Sequence, residues 1–203
     1  MKLYLASYAM VTMKKILEHA NENFSGQKAI FIPTASDPYE NKDFVEADKI
    51  ALEQYGLNVV EMDIKGKDEI EIQKNINDAN IILVAGGDTF YLMEKLKESG
   101  ADKAIKNFIE KGGIYIGSSA GSIVCCPTIE GTEEFDNPSL APKLENFNGM
   151  DIFSGVIIPH AHKEKYFERI KKAAKKLEAK GYRVYSLTDD DVLFFNGESE
   201  KIL

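Results

Sequence analysis

The chain has no tryptophan, and only two cysteines and three histidines occur among its 203 residues. The cysteines, Cys125 and Cys126, are adjacent, which gives neither a disulfide framework nor a metal-type spacing, so a reducing cytoplasm is the expected compartment. His160 and His162 form an H-x-H pair, yet no HExxH or paired-cysteine motif supplies further ligands, and no metal is expected. Basic side chains are also outnumbered, 25 Lys and Arg against 33 Asp and Glu. A net charge of -8 and the absence of a Lys/Arg stripe alternating with aromatics argue against a phosphate-binding face, hence against nucleic acid. The one basic cluster, "KKAAKK" from Lys171 to Lys176, falls in a helix-patterned segment and reads as a solvated face. No apolar run approaches membrane-spanning length. The start, "MKLYLASYAM", lacks a small-residue cleavage pattern and reads as a first strand rather than a signal peptide.

What the chain does have is alternation. A hydrophobic content of 44% over this length can bury one sizeable core, so a single domain over 1–203 is expected. Apolar runs at "KLYLAS", "KAIFIPTAS", "LNVVEMDI", "ANIILVAGG" and "GIYIGSSAG" are bounded by turn residues and read as buried strands. Between them, segments such as "DFVEADKIALEQYG" and "ADKAIKNFIEKG" place apolar residues three and four apart, as amphipathic helices do. This alternation predicts an α/β fold with a mainly parallel sheet covered by helices on both faces. The rhythm breaks over 127–155, a long loop region with little periodicity. It resumes with a strand and long helix in "VIIPHAHKEKYFERIKKAAKKLEAKG", then strands in "YRVYSLT" and "DVLFFNGESEKIL", the last a hairpin turning at "NGES".

Ligands of open parallel sheets gather outside the carboxyl ends of the strands, where "PTASDPYEN", "AGGDTF" and "GSSAG" fall. In "IYIGSSAG", glycines two residues before and two after Ser119 make a G-x-S-x-G strand-turn-helix, a sharp elbow that projects the Ser119 hydroxyl. The N–H of Ala120 would then face an anion forming on an attacked carbonyl. The alternatives are a Gly/Ser turn without chemistry and a phosphate-binding turn. A serine nucleophile needs a base. His19 lies on the first helix pattern, whereas His160 and His162 follow a predicted strand, and His160, directly after Pro159, is the preferred base. The acidic loop "EGTEEFDNP" offers Glu130, Glu133, Glu134 and Asp136 as orienting carboxylates. In "AGGDTF", the Gly87 N–H is a second oxyanion donor beside Ala120, Asp88 or Thr89 caps the following helix, and Asp88 is a candidate partner for a substrate ammonium.

With "AGGDTF", "GSSAG", "CPTIEGTEE" and "IPHAH" in this order, nearly the whole chain resembles the aspartyl dipeptidase (peptidase E) and cyanophycinase family of serine peptidases. The resemblance implies a flavodoxin-like three-layer sandwich related to class I glutamine amidotransferases, and a Ser-His-Asp/Glu triad. By motif it makes Ser119 the nucleophile, His160 the base and Glu134 the third member, with Glu133 and Asp136 as alternatives in that loop. It implies hydrolysis of short peptides without metal or organic cofactor. A non-catalytic ligand-binding relative and an esterase remain alternatives, and association as monomer or homodimer is left open. Relatives that prefer an N-terminal aspartate carry an arginine shortly before the "RI" of the helix after the histidine. Here that position is Tyr166, with Arg169 on the same helix and Lys163 or Lys165 as substitutes, so aspartyl specificity is not implied.

Overall fold

The computed structural model describes all residues from Met1 to Leu203. Strands β1 (Lys2–Ala6), β2 (Lys28–Ile32), β3 (Asn58–Glu61), β4 (Ile81–Val84) and β5 (Ile114–Ser118) alternate with helices α1 (Ala9–Ala20), α2 (Asp43–Gln54), α3 (Glu69–Ile76), α4 (Thr89–Ser99) and α5 (Ala101–Glu110). A four-residue helix, α6 (Ala120–Ile123), follows β5 directly. After the long loop come β6 (Val156–Ile158), α7 (Phe167–Ala179), β7 (Val184–Ser186), β8 (Val192–Phe195) and β9 (Glu200–Ile202). The main sheet has the order β3-β2-β4-β5-β1-β8-β9, its first five strands parallel and β8 and β9 antiparallel.

Because successive strand residues point to opposite faces, each central strand contributes to two cores. On β2, Ala29 and Phe31 pack with Met13 and Ile16 of α1 and Leu52 of α2, while Ile30 and Ile32 join Ile72, Phe90, Leu96 and Ile105 from the helices of the other face. The result is the expected three-layer α/β sandwich. The expected hairpin is also present: β8 and β9 pair antiparallel across 196–199. The strand expected over 57–64 is shorter, Asn58–Glu61, and mostly exposed at the sheet edge; Met62 and Ile64 are buried beyond its end, with the Met62 N–H making a last bond to the Phe31 carbonyl at 2.8 Å.

The loop over 127–155 forms two 3₁₀ turns, Thr132–Glu134 and Pro138–Leu140, and one isolated bridge between Thr128 and Asn148. Beyond it, β6, α7 and β7 make a second parallel unit, with Ile158 opposite Ser186. Parallel pairing sends both strands' carboxyl ends the same way. The residues just after Ile158 and Ser186 are therefore neighbours.

The elbow after β5 is braced from below. The Ser118 hydroxyl accepts from the Ala9 N–H at 3.0 Å, and the adjacent Met10 N–H donates to Asp48 of α2 at 2.7 Å. Asp48 is 1% exposed and its second carboxylate oxygen has no partner. Burial pushes its carboxyl up to about 7, against hydrogen bonds from Ser118 and Met10. The folded state thus keeps a proton that the unfolded chain has already released, so stability falls as pH rises from about 4 to about 7. Asp48→Asn should unfold at a higher temperature than the parent at pH 8, by several degrees at about 2–4 °C per kcal/mol, with the gap closing toward pH 4. Thermal unfolding at the two pH values checks this; a variant less stable than the parent at pH 8 contradicts it.

Candidate active site

The carboxyl ends of β1, β4, β5 and β6 converge on one cavity of 330 Å³, whose wall includes Ser7, Gly86, Gly87, Ser119, Asp136, His160 and Tyr166. Register explains the convergence. Ala6 stands opposite Ser118 and Val84 opposite Gly117, so Ser7, Ser119 and the Gly86-Gly87 pair leave the sheet side by side.

Ser119 sits at φ 49° and ψ -107°, a conformation that side-chain-bearing residues seldom adopt. Three close approaches force it. The Ser119 N–H donates to the Ala6 carbonyl at 3.0 Å, its own carbonyl accepts from Ser122 and Ile123, and small neighbours let the chain turn. A Cβ on Gly117 would lie 2.6 Å from the Gly121 carbonyl oxygen, and one on Gly121 would lie 2.0 Å from that of Val84. The elbow's two flanking glycines are therefore required by space.

His160 meets this serine from the other unit: its Nε2 is 3.1 Å from Ser119 Oγ. It too has positive φ, 61°. Its backbone N–H donates to Ser7 Oγ at 2.8 Å, which ties the turn after β6 to the end of β1. On the far side of the ring, Nδ1 is 2.5 Å from Asp189 Oδ1. Asp189 also accepts from Ser7 Oγ at 2.9 Å and from Lys163 Nζ at 3.0 Å. Its turn is pinned by Asp191, whose Oδ2 accepts from the Thr188 N–H and hydroxyl.

Burial holds the His160 imidazole below its ordinary value; the Asp189 carboxylate pulls the other way, and Lys163 and His162 add to the lowering. For Asp189, burial raises the carboxyl but hydrogen bonds from His160 and Lys163 outweigh it, so the group lies below the usual carboxylate range. A neutral imidazole between a hydroxyl and a carboxylate can take a proton from the hydroxyl and hold the resulting charge. Near Ser119, a Cβ on Gly86 would come within 3.3 Å of the serine Cβ, and Gly87, at φ 147°, has no room for one because it would lie 2.1 Å from the Ala35 carbonyl oxygen. No hydrogen-bond acceptor within the chain takes the N–H of Gly87 or of Ala120. No group of three His, Cys, Asp or Glu side chains is disposed to hold a metal ion.

A model of peptidase family S51 matches residues 3–203. The chain belongs to that family. An uncharacterized peptidase of Listeria monocytogenes is 34% identical over 87% of this chain and 85% of its own length. A peptidase E of Shigella flexneri is 32% identical over 79% of this chain and 69% of its own. Among solved structures, a candidate peptidase E protein of Listeria monocytogenes superposes with a TM-score of 0.92 at 32% identity, covering 100% of this chain and 97% of that one. The S51 chain is thus a peptidase with this family's fold.

Several residues singled out in the sequence lie elsewhere than expected. Glu134 is not beside His160: it sits on the Thr132–Glu134 turn and pairs with Lys172 of α7 at 2.7 Å. Glu133 pairs with Lys176, and Glu130 with Lys180. The carboxylate on Nδ1 belongs to Asp189, beyond the histidine in sequence. Asp88 does cap α4, but both its oxygens are occupied, by the Tyr91 N–H at 2.9 Å and the Asn137 N–H at 3.0 Å, and it is 1% exposed. Thr89 is fully buried and donates its N–H to Asp136 Oδ2 at 3.0 Å. Arg169 is exposed on α7, outside the cavity, whereas Tyr166 lines it with its ring edge on Phe135. Lys165 lies over the Tyr166 ring and Lys163 is held by Asp189. His162 is exposed but stays beside Asp189, its Nε2 3.6 Å from Oδ2, whereas His19 bonds the Tyr4 hydroxyl far from the site. Cys125 and Cys126 are buried, and burial raises both thiols, Cys126 to about 12. They contribute to the core. The "KKAAKK" face is solvated and partly ion-paired with the acidic loop, and no helix is long and apolar enough to cross a membrane.

In a nitrogen-detected NMR titration, His160 should change charge at a midpoint below the ordinary 6.5, and Asp189→Asn should move that midpoint lower still, since the carboxylate stabilises the imidazolium. A midpoint above 7, or one raised by Asp189→Asn, contradicts the arrangement.

Proposed function

We propose that this S51 chain is a serine exopeptidase of the dipeptidase type, acting on short peptides through Ser119, His160 and Asp189. The observation that carries the reading is the hydroxyl-imidazole contact of 3.1 Å on a ring whose other nitrogen meets a carboxylate. Ser119 Oγ attacks the scissile carbonyl while His160 Nε2 takes its proton, and Asp189 holds the ring in the tautomer with the proton on Nδ1. The oxyanion develops against the N–H groups of Gly87 and Ala120, which have no acceptor within the chain. The imidazolium then protonates the leaving amine, and water attacks the acyl-enzyme by the same route in reverse.

Aspartate in the first position is not the favoured substrate in this reading. The cavity presents Tyr166 where a guanidinium would be needed, and its one lysine is already paired with Asp189. A carboxylate side chain would have no bidentate partner there. Serine chemistry also explains why the buried, protonated cysteines behind the elbow play no part.

A dipeptide panel followed by amino-acid release tests the proposal. Ser119→Ala and His160→Ala should each lower kcat/KM by about 10⁴-fold or more. Asp189→Asn should lower it by roughly 10³ to 10⁴, as expected when the ring loses its tautomer and charge partner. Glu134→Gln should stay within about twofold, because it removes only a surface ion pair. Unchanged turnover in Ser119→Ala, or a loss in Glu134→Gln comparable to that in Asp189→Asn, overturns the assignment.

A further inference from the structure

Of the charged side chains lining the cavity, all but one have an opposite charge beside them. Glu130 pairs with Lys180, and Lys163 with Asp189, which also faces His160. Asp136 pairs with nothing. Its Oδ2 accepts from the Thr89 N–H at 3.0 Å, and no group of the chain bonds its Oδ1. Burial without a cation, with Asp88 nearby, pushes its carboxyl up to about 6 in spite of the Thr89 hydrogen bond. The Tyr39 phenol beside it is raised to about 12, by burial and by the charges of Asp136 and Asp88. An unpaired carboxylate in a partly desolvated wall is a strong attractor for a cation of matching size.

The position of this group relative to Ser119 is set by four consecutive residues. A Cβ on Gly86 would lie 3.3 Å from the Ser119 Cβ, and Thr89, three residues on, is the donor that fixes Asp136. The same cavity takes apolar lining from Phe44, Ile123, Phe135, Ile157, Tyr166 and Leu177. A pocket of 330 Å³ lies at the small end of the range for small-molecule sites, about 300–1,000 Å³. A single residue with its amine fits such a volume better than an extended chain.

We propose that Asp136 anchors the α-ammonium of an unblocked peptide whose first side chain is apolar and packs against Phe135, Ile157, Tyr166 and Leu177. The inference rests on the peptidase reading of the site and names its substrate class. The ammonium supplies the counter-charge that Asp136 lacks, and the apolar side chain fills a wall that offers no cation to an acidic one. Asp88, the sequence's candidate for this contact, is excluded because both its oxygens already cap backbone N–H groups.

Calorimetric binding to Ser119→Ala protein, which cannot be acylated, separates this inference from the catalytic one. The ligands are Phe-Gly, N-acetyl-Phe-Gly and Asp-Gly at pH 7.5. Phe-Gly should bind at least tenfold more tightly than either of the others. Adding Asp136→Asn, which keeps an acceptor for the Thr89 N–H, should abolish the advantage of the free amine. Equal binding of the acetylated peptide, tighter binding of Asp-Gly, or an amine preference that survives Asp136→Asn overturns the inference. Should Phe-Gly bind as expected while the intact protein cleaves no dipeptide, the catalytic reading fails and the binding inference stands.

Discussion

Ser119 and His160 can meet only because two backbone conformations that side-chain-bearing residues avoid are held in place from outside. Each left-handed residue costs of order 1–3 kcal/mol, so each persists only where its surroundings over-determine it. At Ser119 the restraint comes from the Ala6 carbonyl below and from glycines that have no space for a Cβ. At His160 it comes from Ser7, whose hydroxyl accepts the histidine N–H and donates to Asp189. Ser7 is thus the point at which the main sheet and the β6-α7-β7 unit are joined at the site. The rest of the local geometry follows from it: the ring plane, the carboxylate on Nδ1 and the approach of Nε2 to the serine.

This arrangement also sorts the charges. His160 is kept neutral near pH 7 by burial, Asp189 is kept ionised by two donors and an ammonium, and Lys163 is committed to Asp189. Of the charged side chains in the cavity wall, Asp136 alone is left without an opposite charge beside it. In the proposed reading, one unsatisfied negative charge with no free cation disfavours an acidic substrate side chain and favours a positive group, in keeping with the tyrosine at position 166.

Most of the architecture was legible because a parallel sheet with helices on both faces imposes alternation on the sequence, and "GSSAG" and "IPHAH" carry their geometry in short local stretches. The edge strand β3 is shorter than its sequence suggests because burial and strand pairing leave the same apolar signature: Met62 and Ile64 are buried beyond the strand's end. Asp189 was missed for a different reason. The resemblance points to a carboxylate between serine and histidine in sequence, in a loop rich in acids. The partner instead lies 29 residues beyond the histidine, and what brings it there is the parallel pairing of β6 with β7. A strand ending in "SLTDDD", returning from a helix to lie beside the strand that ends in "IIPH", carries that signal. It becomes readable only once the pairing is known. Ser7 has no motif at all, and its role comes from standing where β1 ends beside the elbow.

The proposed peptidase chemistry requires that one serine hydroxyl be activated by one imidazole. Mapping the adduct formed by a fluorophosphonate tests it most directly, because Ser7, Ser118 and Ser122 lie close to Ser119 and would report a different geometry. Phosphonylation is expected at Ser119 alone, with the rate reduced by orders of magnitude in His160→Ala. Modification of another of these serines, or a rate at Ser119 that does not depend on His160, would contradict it.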